Sequence, residues 1–223
     1  MLQDTKMVIE ENYQYISDAF YFDTSEISKN PIFVHVGTFT GKLENKLVSL
    51  FPDCQIFSIE PHPENFKNLV KNTEHLKNVV RINKALITTE DKKTILEGNG
   101  SCATTYKTRR GIEVESFTIK NFIEDFNLKD IDCVFYNAEG SEMDFIPYIV
   151  ANGIHSKMRQ ICLNFHVHVP HFEITYDKVD NLLKNSGIMN FYKINDDRIT
   201  KVASRATGGP TSEKYPCFLF VRK

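Results

Sequence analysis

The chain has 223 residues, of which 41% are hydrophobic and 25% charged, so it can build one α/β domain with a substantial core. This composition excludes disordered, collagen-like and low-complexity proteins. Because 27 basic residues oppose 29 acidic ones, the formal net charge is −2, and no global positive field attracts nucleic acid or an anionic membrane. No apolar run approaches the ~20 residues of a membrane-spanning helix.

The N-terminus and the cysteines point to a soluble, intracellular protein. The first residues lack the basic start and the apolar run of a signal peptide. The five cysteines are far apart, odd in number and form no C-x-x-C motif, and three of them lie in apolar runs. Buried thiols in a reducing compartment are therefore expected, which favours the cytoplasm.

The opening segment is predicted to be a helix. Apolar residues recur among acids and amides from Met7 to Phe20, until Asn30-Pro31 interrupts the pattern. We therefore divide the chain into an N-terminal helical segment, residues 1–30, and a single domain, residues 31–223.

The rest of the chain alternates between strand-like and helix-like segments. Six short apolar runs are typical of strands buried on both faces, namely Ile32–Val36, Gln55–Ile59, Val79–Ile82, Cys133–Tyr136, Gln160–Phe165 and Cys217–Val221. Helical stripes occur around residues 43–50, 66–70, 122–126 and 179–183, and a further helix is expected to begin at Ser141. This alternation predicts an α/β fold with a Rossmann-like, doubly wound, mostly parallel sheet and helices on both faces.

Residues 85–118 depart from this rhythm. Two short polar alternations, Lys93–Leu96 and Glu113–Phe117, flank a loop that contains Gly98 and Gly100. We expect small strands and a long loop beside the main sheet. Such a loop is either a functional lid or a surface excursion.

Glycines and an acid at the first two strand ends indicate a nucleoside site. Gly37 and Gly41 lie between the first strand and its helix, where glycine lets the backbone approach a ligand. Their spacing does not match the dinucleotide fingerprint, which disfavours a nicotinamide cofactor. The second strand ends at Glu60, nineteen residues after Gly41, where a carboxylate can bind both ribose hydroxyls.

A second polar cluster is predicted where two later strands end. Asn137 and Glu139 follow one strand, and alternation places Asn164, His166 and His168 on one face of the other. Because histidine has an ordinary pKa near neutrality, His166 is the first candidate for a catalytic base. Glu139 is the second candidate, and His168 is expected to matter less. These histidines could instead chelate a metal, but the neighbouring amides are poor ligands, so we expect no metal.

Four stretches, residues 36–41, 59–66, 83–86 and 137–142, resemble the FkbM-type S-adenosylmethionine-dependent methyltransferases. The most specific of these is the E-P-x-P-E-N-F string at residues 60–66, and the glycine turn is the least specific. Together the matches extend over about residues 32–166. The resemblance implies a class I methyltransferase fold, S-adenosylmethionine as cofactor, and methylation of a hydroxyl group on a sugar, a glycan or a small metabolite.

The resemblance also implies roles for individual residues. Carried over by position, the residues of the cofactor site are Gly37, Thr38 and Gly41 along the methionine part, Glu60 at the ribose, and Pro61, Lys84 and Ala85 around the adenine. His35 and Asn137 are assigned to the same site, although the family usually has Asp at both positions. Asn164 stands where the family usually has Glu.

The expected protein is thus an S-adenosylmethionine-dependent O-methyltransferase whose partner is a sugar or glycan hydroxyl or a small molecule. The lost carboxylates leave open an alternative, a protein of the same fold that binds ligands but has weakened or no catalysis. A nucleotide-dependent oxidoreductase is disfavoured by the glycine spacing.

Overall fold

The computed structural model describes residues 13–15, 20–166, 173–186, 191–193 and 217–221. Within these ranges the strands and helices are, in chain order, β1 (Tyr13–Tyr15), β2 (Tyr21–Asp23), β3 (Ile32–Val36), α1 (Lys42–Leu50), β4 (Gln55–Ile59), α2 (Pro63–Thr73), β5 (Val79–Ile82), β6 (Ala85–Ile87), β7 (Lys93–Leu96), β8 (Ile112–Thr118), α3 (Ile119–Asp125), β9 (Ile131–Tyr136), α4 (Glu142–Ala151), β10 (Met158–Asn164), α5 (Tyr176–Asn185), β11 (Phe191–Lys193) and β12 (Cys217–Val221).

The central sheet has the order β11-β12-β10-β9-β3-β4-β5 in the described part of the chain. Strands β10, β9, β3, β4 and β5 run parallel to one another, whereas β12 is antiparallel to both β10 and β11. Parallel strands need crossover connections, and helices α1 and α2 supply those that follow β3 and β4. The predicted mostly parallel, doubly wound α/β architecture is confirmed.

Successive side chains of each strand point to opposite faces of the sheet, and each face packs in a core of its own. Val34 and Val36 belong to a core that also contains apolar side chains of α3, α4 and α5. Phe33, which directly precedes Val34, belongs to a second core with side chains of α1 and β2. No helix in the described residues is long and apolar enough to cross a bilayer.

A small sheet lies beside the main one, as expected for residues 85–118. Its order is β6-β8-β7, with β8 parallel to β6 and antiparallel to β7. Ala85, Leu96 and Val114 form its core. The loop between β7 and β8, which we call the strap (residues 97–110), continues from this sheet.

The helix predicted for the opening segment is wrong over the described residues. Tyr13–Tyr15 and Tyr21–Asp23 form an antiparallel pair of strands. Phe20 and Phe22 are both fully buried and lie two residues apart, which is the period of an extended chain rather than a helix. Residues 1–12 and 16–19 lie outside the described ranges, and the proposed boundary between residues 30 and 31 stays a prediction.

Candidate active site

The turn between β3 and α1 lies directly against the end of β9. Gly37 has a φ of +80°, and a Cβ added there would lie 1.8 Å from the carbonyl oxygen of Asn137. The Gly37 N–H donates to the carbonyl of Ile59 at 3.0 Å, at the end of β4. Only glycine combines this backbone conformation with such a close approach.

Glu60, directly after β4, is buried and organises the turns around it. Its Oε2 accepts a hydrogen bond from the Phe39 N–H at 2.8 Å, and its Oε1 accepts from the His62 N–H at 3.0 Å and from Asn65 Nδ2 at 3.3 Å. Burial raises the pKa of the Glu60 carboxyl, although these hydrogen bonds act in the opposite direction. Because a carboxylate oxygen has two lone pairs, Oε2 can still accept from a ligand hydroxyl.

Three neighbouring strands lead to polar side chains that each have a buried oxygen without a hydrogen-bond partner in the described residues: Thr38 Oγ1 beyond β3, Asn137 Oδ1 beyond β9 and Asn164 Oδ1 at the end of β10. Strands β10, β9, β3 and β4 are adjacent in that order, so Glu60 extends the series. We call Glu60, Thr38, Asn137 and Asn164 the edge row. Since buried polar atoms are nearly always paired, the edge row indicates a ligand-binding crevice at the carboxyl ends of the strands.

His166 lies between two carboxylates. Its Nε2 is 2.9 Å from Glu139 Oε1, and its Nδ1 is 3.2 Å from Glu142 Oε1. The imidazole is only 2% exposed and Glu142 is fully buried, whereas Glu139 is 19% exposed. Glu139 is therefore the accessible member of the cluster.

The two carboxylates change the ionisation of His166. Burial alone would lower its pKa, but the charge of Glu142 and the hydrogen bonds to Glu139 and Glu142 outweigh burial and raise the pKa to about 10. The surroundings of His166 carry two acids, so its pKa lies above the ordinary value near neutrality. His166 is an imidazolium at neutral pH and cannot accept a proton there. His168 lies outside the described residues.

The loop from Asn137 to Ser141 is wrapped around the Glu142 carboxylate. Glu142 Oε1 accepts from the Ala138 N–H and Oε2 from the Gly140 N–H, both at 2.8 Å. Glu139 has a φ of +51°, unusual for a residue with a side chain, and its carbonyl accepts a hydrogen bond from Thr104 Oγ1 of the strap at 2.6 Å. Sequence reasoning assigned no role to Glu142 or Thr104, although Glu142 stands in the family-like stretch.

His35 occupies a different environment from the edge row. Its buried Nδ1 is 2.7 Å from Glu44 Oε1 of α1, which also accepts from Ser58 Oγ at 2.8 Å. Burial raises the pKa of Glu44, but the charge and hydrogen bond of His35 reverse this and lower it overall. The His35 side chain thus binds the first turn of α1, and its assignment to the cofactor site stays a prediction. Glu44 was not foreseen from the sequence.

The remaining cofactor candidates are placed near the end of β5. The Lys84 ammonium pairs with Glu115 at 3.1 Å, and the Ala85 side chain is buried in the small sheet. The carbonyl of Pro61 accepts from Asn83 Nδ2 at 3.2 Å. The roles of Pro61, Lys84 and Ala85 around an adenine stay predictions.

A metal centre was expected to be absent. In the part of the chain that the structure describes, no group of three or more His, Cys, Asp and Glu side chains could hold a metal ion. His168 and His171 of the sequence pattern lie outside that part.

Comparison with known protein families identifies the family of this chain. The family model described as the methyltransferase FkbM domain matches residues 32–194, which is most of the chain. The chain belongs to the FkbM methyltransferase family. The predicted cofactor, S-adenosylmethionine, is confirmed by this membership.

Solved structures support the fold alone. The fibrillarin pre-rRNA processing protein of Methanococcus jannaschii is 9% identical with a TM-score of 0.53, over 88% of this chain and 68% of that chain. The N-terminal domain of human METTL16 is 10% identical with a TM-score of 0.50, over 88% of this chain and 64% of that one. No curated protein sequence matches the chain. The predicted class I methyltransferase fold is confirmed.

The edge row fits the donor expected for this family. Glu60 supplies a buried carboxylate that can accept from ribose hydroxyls. Thr38 and Asn137, on the next two strands, supply neutral oxygens without a partner in the described residues, which can accept from the ammonium group of an amino acid.

Proposed function

We propose that this FkbM-family chain is an S-adenosylmethionine-dependent O-methyltransferase that acts on a hydroxyl group of a sugar, a glycan or a small metabolite. The observation that supports this most is the Glu139 carboxylate. It is partly exposed and lies at the ends of the central strands, where a buried imidazolium at 2.9 Å holds it. A carboxylate in this position can take a proton from a bound hydroxyl group.

Glu60, Thr38 and Asn137 would hold the donor along the ends of β4, β3 and β9. The sulfonium of S-adenosylmethionine supplies an electrophilic methyl group with a good leaving group. The chain then has to place the acceptor oxygen in line with that methyl carbon, which by itself lowers the barrier by several kcal/mol.

Glu139 acts as the general base in this scheme. The acceptor oxygen would bond to the methyl carbon as the bond from that carbon to the donor sulfur breaks and S-adenosylhomocysteine leaves, and the hydroxyl proton would pass to the second carboxylate oxygen of Glu139. His166 keeps the other oxygen, Oε1, in place through its Nε2 and acts as a positioning residue. Glu142 holds His166 and the loop backbone in place. The Glu139 carboxylate is therefore already positioned before the reaction and does not have to become ordered during it.

A binding protein that has lost catalysis is the second candidate. His166 is protonated at neutral pH, and Asn137 and Asn164 stand where the family usually has acids, so three candidate bases are removed. Among the candidate bases that the structure describes, Glu139 then distinguishes an enzyme from a binding protein, which makes Glu139 the residue to test.

The experiment incubates the protein with S-adenosylmethionine and a panel of glycosides, small alcohols and short RNAs. RNA is included because the fibrillarin of Methanococcus jannaschii is described as a pre-rRNA processing protein. Release of S-adenosylhomocysteine, with the gain of one methylene in a hydroxyl acceptor by mass spectrometry, is the expected result. Donor binding without transfer to any acceptor would favour the binding protein, and methylation of RNA bases alone would contradict the proposed acceptor.

Glu139→Gln is expected to lower kcat by ~10²–10⁴, because a general base acts mainly in the transition state. Affinity for S-adenosylhomocysteine, measured by calorimetry, should stay the same. Glu124→Gln, on the exposed surface of α3, is the matched control and should leave kcat unchanged. A kcat within a few fold of the parent for Glu139→Gln would remove this residue as the base.

The state of the cysteines supports a cytoplasmic protein. Cys54, Cys102 and Cys133 form no disulfide bond, and the sulfur atoms of Cys133 and Cys162, on neighbouring strands, are 3.5 Å apart without being bonded. Thiols without disulfide bonds are typical of a reducing compartment.

A further inference from the structure

We propose that Asn164 is a specificity residue for the acceptor, and that its carboxamide binds the hydroxyl next to the one that is methylated. The ligand class this implies is a neutral vicinal diol, as found in a sugar ring. This inference rests on the proposed function and names the substrate class of the same site.

The first step is that Asn164 lacks a partner. Its side chain is 7% exposed, and its Oδ1 is buried without a hydrogen bond in the described residues. The preceding residue, Leu163, is paired with Tyr136 across β10 and β9, so Asn164 and Asn137 follow side by side on neighbouring strands. Asn137 Oδ1 is likewise buried without a hydrogen bond in the described residues. Two adjacent amide oxygens that have no partner in the described residues point to ligand groups that bind them.

The second step is that Asn164 lies on the acceptor side of the crevice. In the edge row, Glu60 on β4 marks the ribose end, and Asn164 on β10 is the opposite end, three strands away. Since neighbouring strands are ~4.8 Å apart, this separation is about 14 Å. His166, which holds the Glu139 carboxylate, follows Asn164 by only two residues. The amide therefore lies on the side of the proposed base.

The third step is the chemistry of a carboxamide. It offers one acceptor oxygen and an NH2 donor, and it carries no charge. Each hydroxyl of a vicinal diol can both donate and accept, so the diol satisfies both ends of the amide. A cationic acceptor would be better matched by a carboxylate, which is absent at residues 137 and 164. A neutral polyol is thus the ligand that the amide suits best.

The experiment measures binding of simple methyl hexopyranosides and their monodeoxy counterparts to the protein saturated with S-adenosylhomocysteine. For the parent protein, loss of one particular hydroxyl should weaken binding by about 10-fold, as expected for one hydrogen bond. Asn164→Ala should weaken binding of the complete glycoside by a similar factor. The same variant should bind the deoxy glycoside no more weakly than the parent does, because the substitution and the missing hydroxyl each remove the same hydrogen bond.

Asn152→Ala is the matched control, since this exposed amide at the end of α4 donates only to the carbonyl of Tyr148. If Asn164→Ala does not fold by thermal denaturation, the nearly isosteric Asn164→Leu takes its place, and the same loss of discrimination is expected because leucine forms neither hydrogen bond. Glycoside binding that depends on Asn164 without methyl transfer would refute the O-methyltransferase and leave this inference standing. Discrimination retained in the variant, weaker binding of S-adenosylhomocysteine instead, or no binding of any glycoside would overturn the inference.

Discussion

Two buried histidines of the central sheet each contact a glutamate in the first turn of a helix. His35 of β3 binds Glu44 of α1, and His166, after β10, binds Glu142 of α4. A helix N-terminus favours a carboxylate, and the His166 imidazolium neutralises the Glu142 carboxylate inside the protein. Removing one partner of such a pair leaves an uncompensated buried charge, which costs more than the intact pair contributes.

The raised pKa of His166 makes stability depend on pH. The folded pKa of about 10 lies above the ordinary value of 6.5, so the folded chain holds this proton more tightly than the unfolded chain. The contribution is complete below pH 6.5 and is lost as pH rises towards 10. We expect the free energy of unfolding to fall over this range by at most about 1.4 kcal/mol per pH unit from this group.

Urea denaturation at several pH values tests this expectation. His166→Gln should remove part of the alkaline slope, whereas His75→Gln, at an exposed position, should leave it unchanged. Equal slopes in the parent and in His166→Gln would mean that the imidazole is not charged in the folded protein.

Glu60 combines a ligand role with a structural one. Glu60→Gln removes the charge and places an NH2 group against donors from Phe39, His62 or Asn65. We expect affinity for S-adenosylhomocysteine to fall by roughly 10-fold, because hydrogen bonds to a charged group are worth about 1.5–3 kcal/mol. Calorimetry measures the change, and Glu64→Gln, at an exposed residue of α2, is the control. Unchanged affinity would exclude Glu60 from the donor site.

At the level of elements, the turn between β3 and α1 depends on how closely it approaches β9. Gly37→Ala meets both a φ of +80° and a contact of 1.8 Å with Asn137 O, whereas Gly153→Ala meets a φ of +66° with open space around the new methyl group. The left-handed conformation costs each variant roughly 1–2 kcal/mol. The difference between the free energies of unfolding of the two variants therefore measures the cost of the contact between the new methyl group and Asn137 O.

We expect Gly37→Ala to be the more destabilising of the two by at least about 2 kcal/mol, since backbone has to move to relieve the contact. Chemical denaturation of both variants measures this difference. Similar losses would show that the β3–α1 turn can move away from Asn137 without cost.

The strands were the elements that the sequence predicted best. Four strands have the predicted bounds because a short, mostly apolar run is the pattern of a strand in a mostly parallel sheet: Ile32–Val36, Gln55–Ile59, Val79–Ile82 and Cys217–Val221. The opening segment was misassigned because its apolar spacing suits a helix, whereas burial of Phe20 and Phe22 requires an extended chain. Which face packs on the core is set by tertiary contacts that the local pattern does not contain.

The candidate site was predicted in composition but not in ionisation. Asn137, Glu139, Asn164 and His166 were expected at one edge, because the carboxyl ends of parallel strands meet there. The charge of His166 depends on Glu142, which is 24 residues away in sequence and reaches it only through the start of α4. A spacing rule cannot show that one imidazole lies between two acids.

On the scale of the whole molecule, one side chain joins the N-terminal segment to the central sheet. Gln160, buried in β10, accepts from the Asp23 N–H at 2.7 Å and donates to the Asp23 carbonyl at 2.8 Å. The same strand ends at Asn164 and leads to His166, so the segment that covers this face and the proposed acceptor site share one strand. Stability of the N-terminal segment and geometry of the site are thereby linked.

Gln160→Met tests this link, because methionine has a similar size but cannot replace either hydrogen bond. The buried N–H and carbonyl of Asp23 would be left unpaired, at about 1–3 kcal/mol for each group. We expect the free energy of unfolding to fall by about 2 kcal/mol or more, and the Asp23 amide to exchange faster with deuterium. Gln55→Met, at an exposed position of β4, is the matched control and should change stability by less than about 0.5 kcal/mol. If Gln160→Met exchanges as slowly as the parent at Asp23, the segment is held by other contacts, such as the burial of Phe20 and Phe22 and the hydrogen bond from the Ser28 N–H to Asp132. The hydrogen bonds of Gln160 then do not couple it to the sheet.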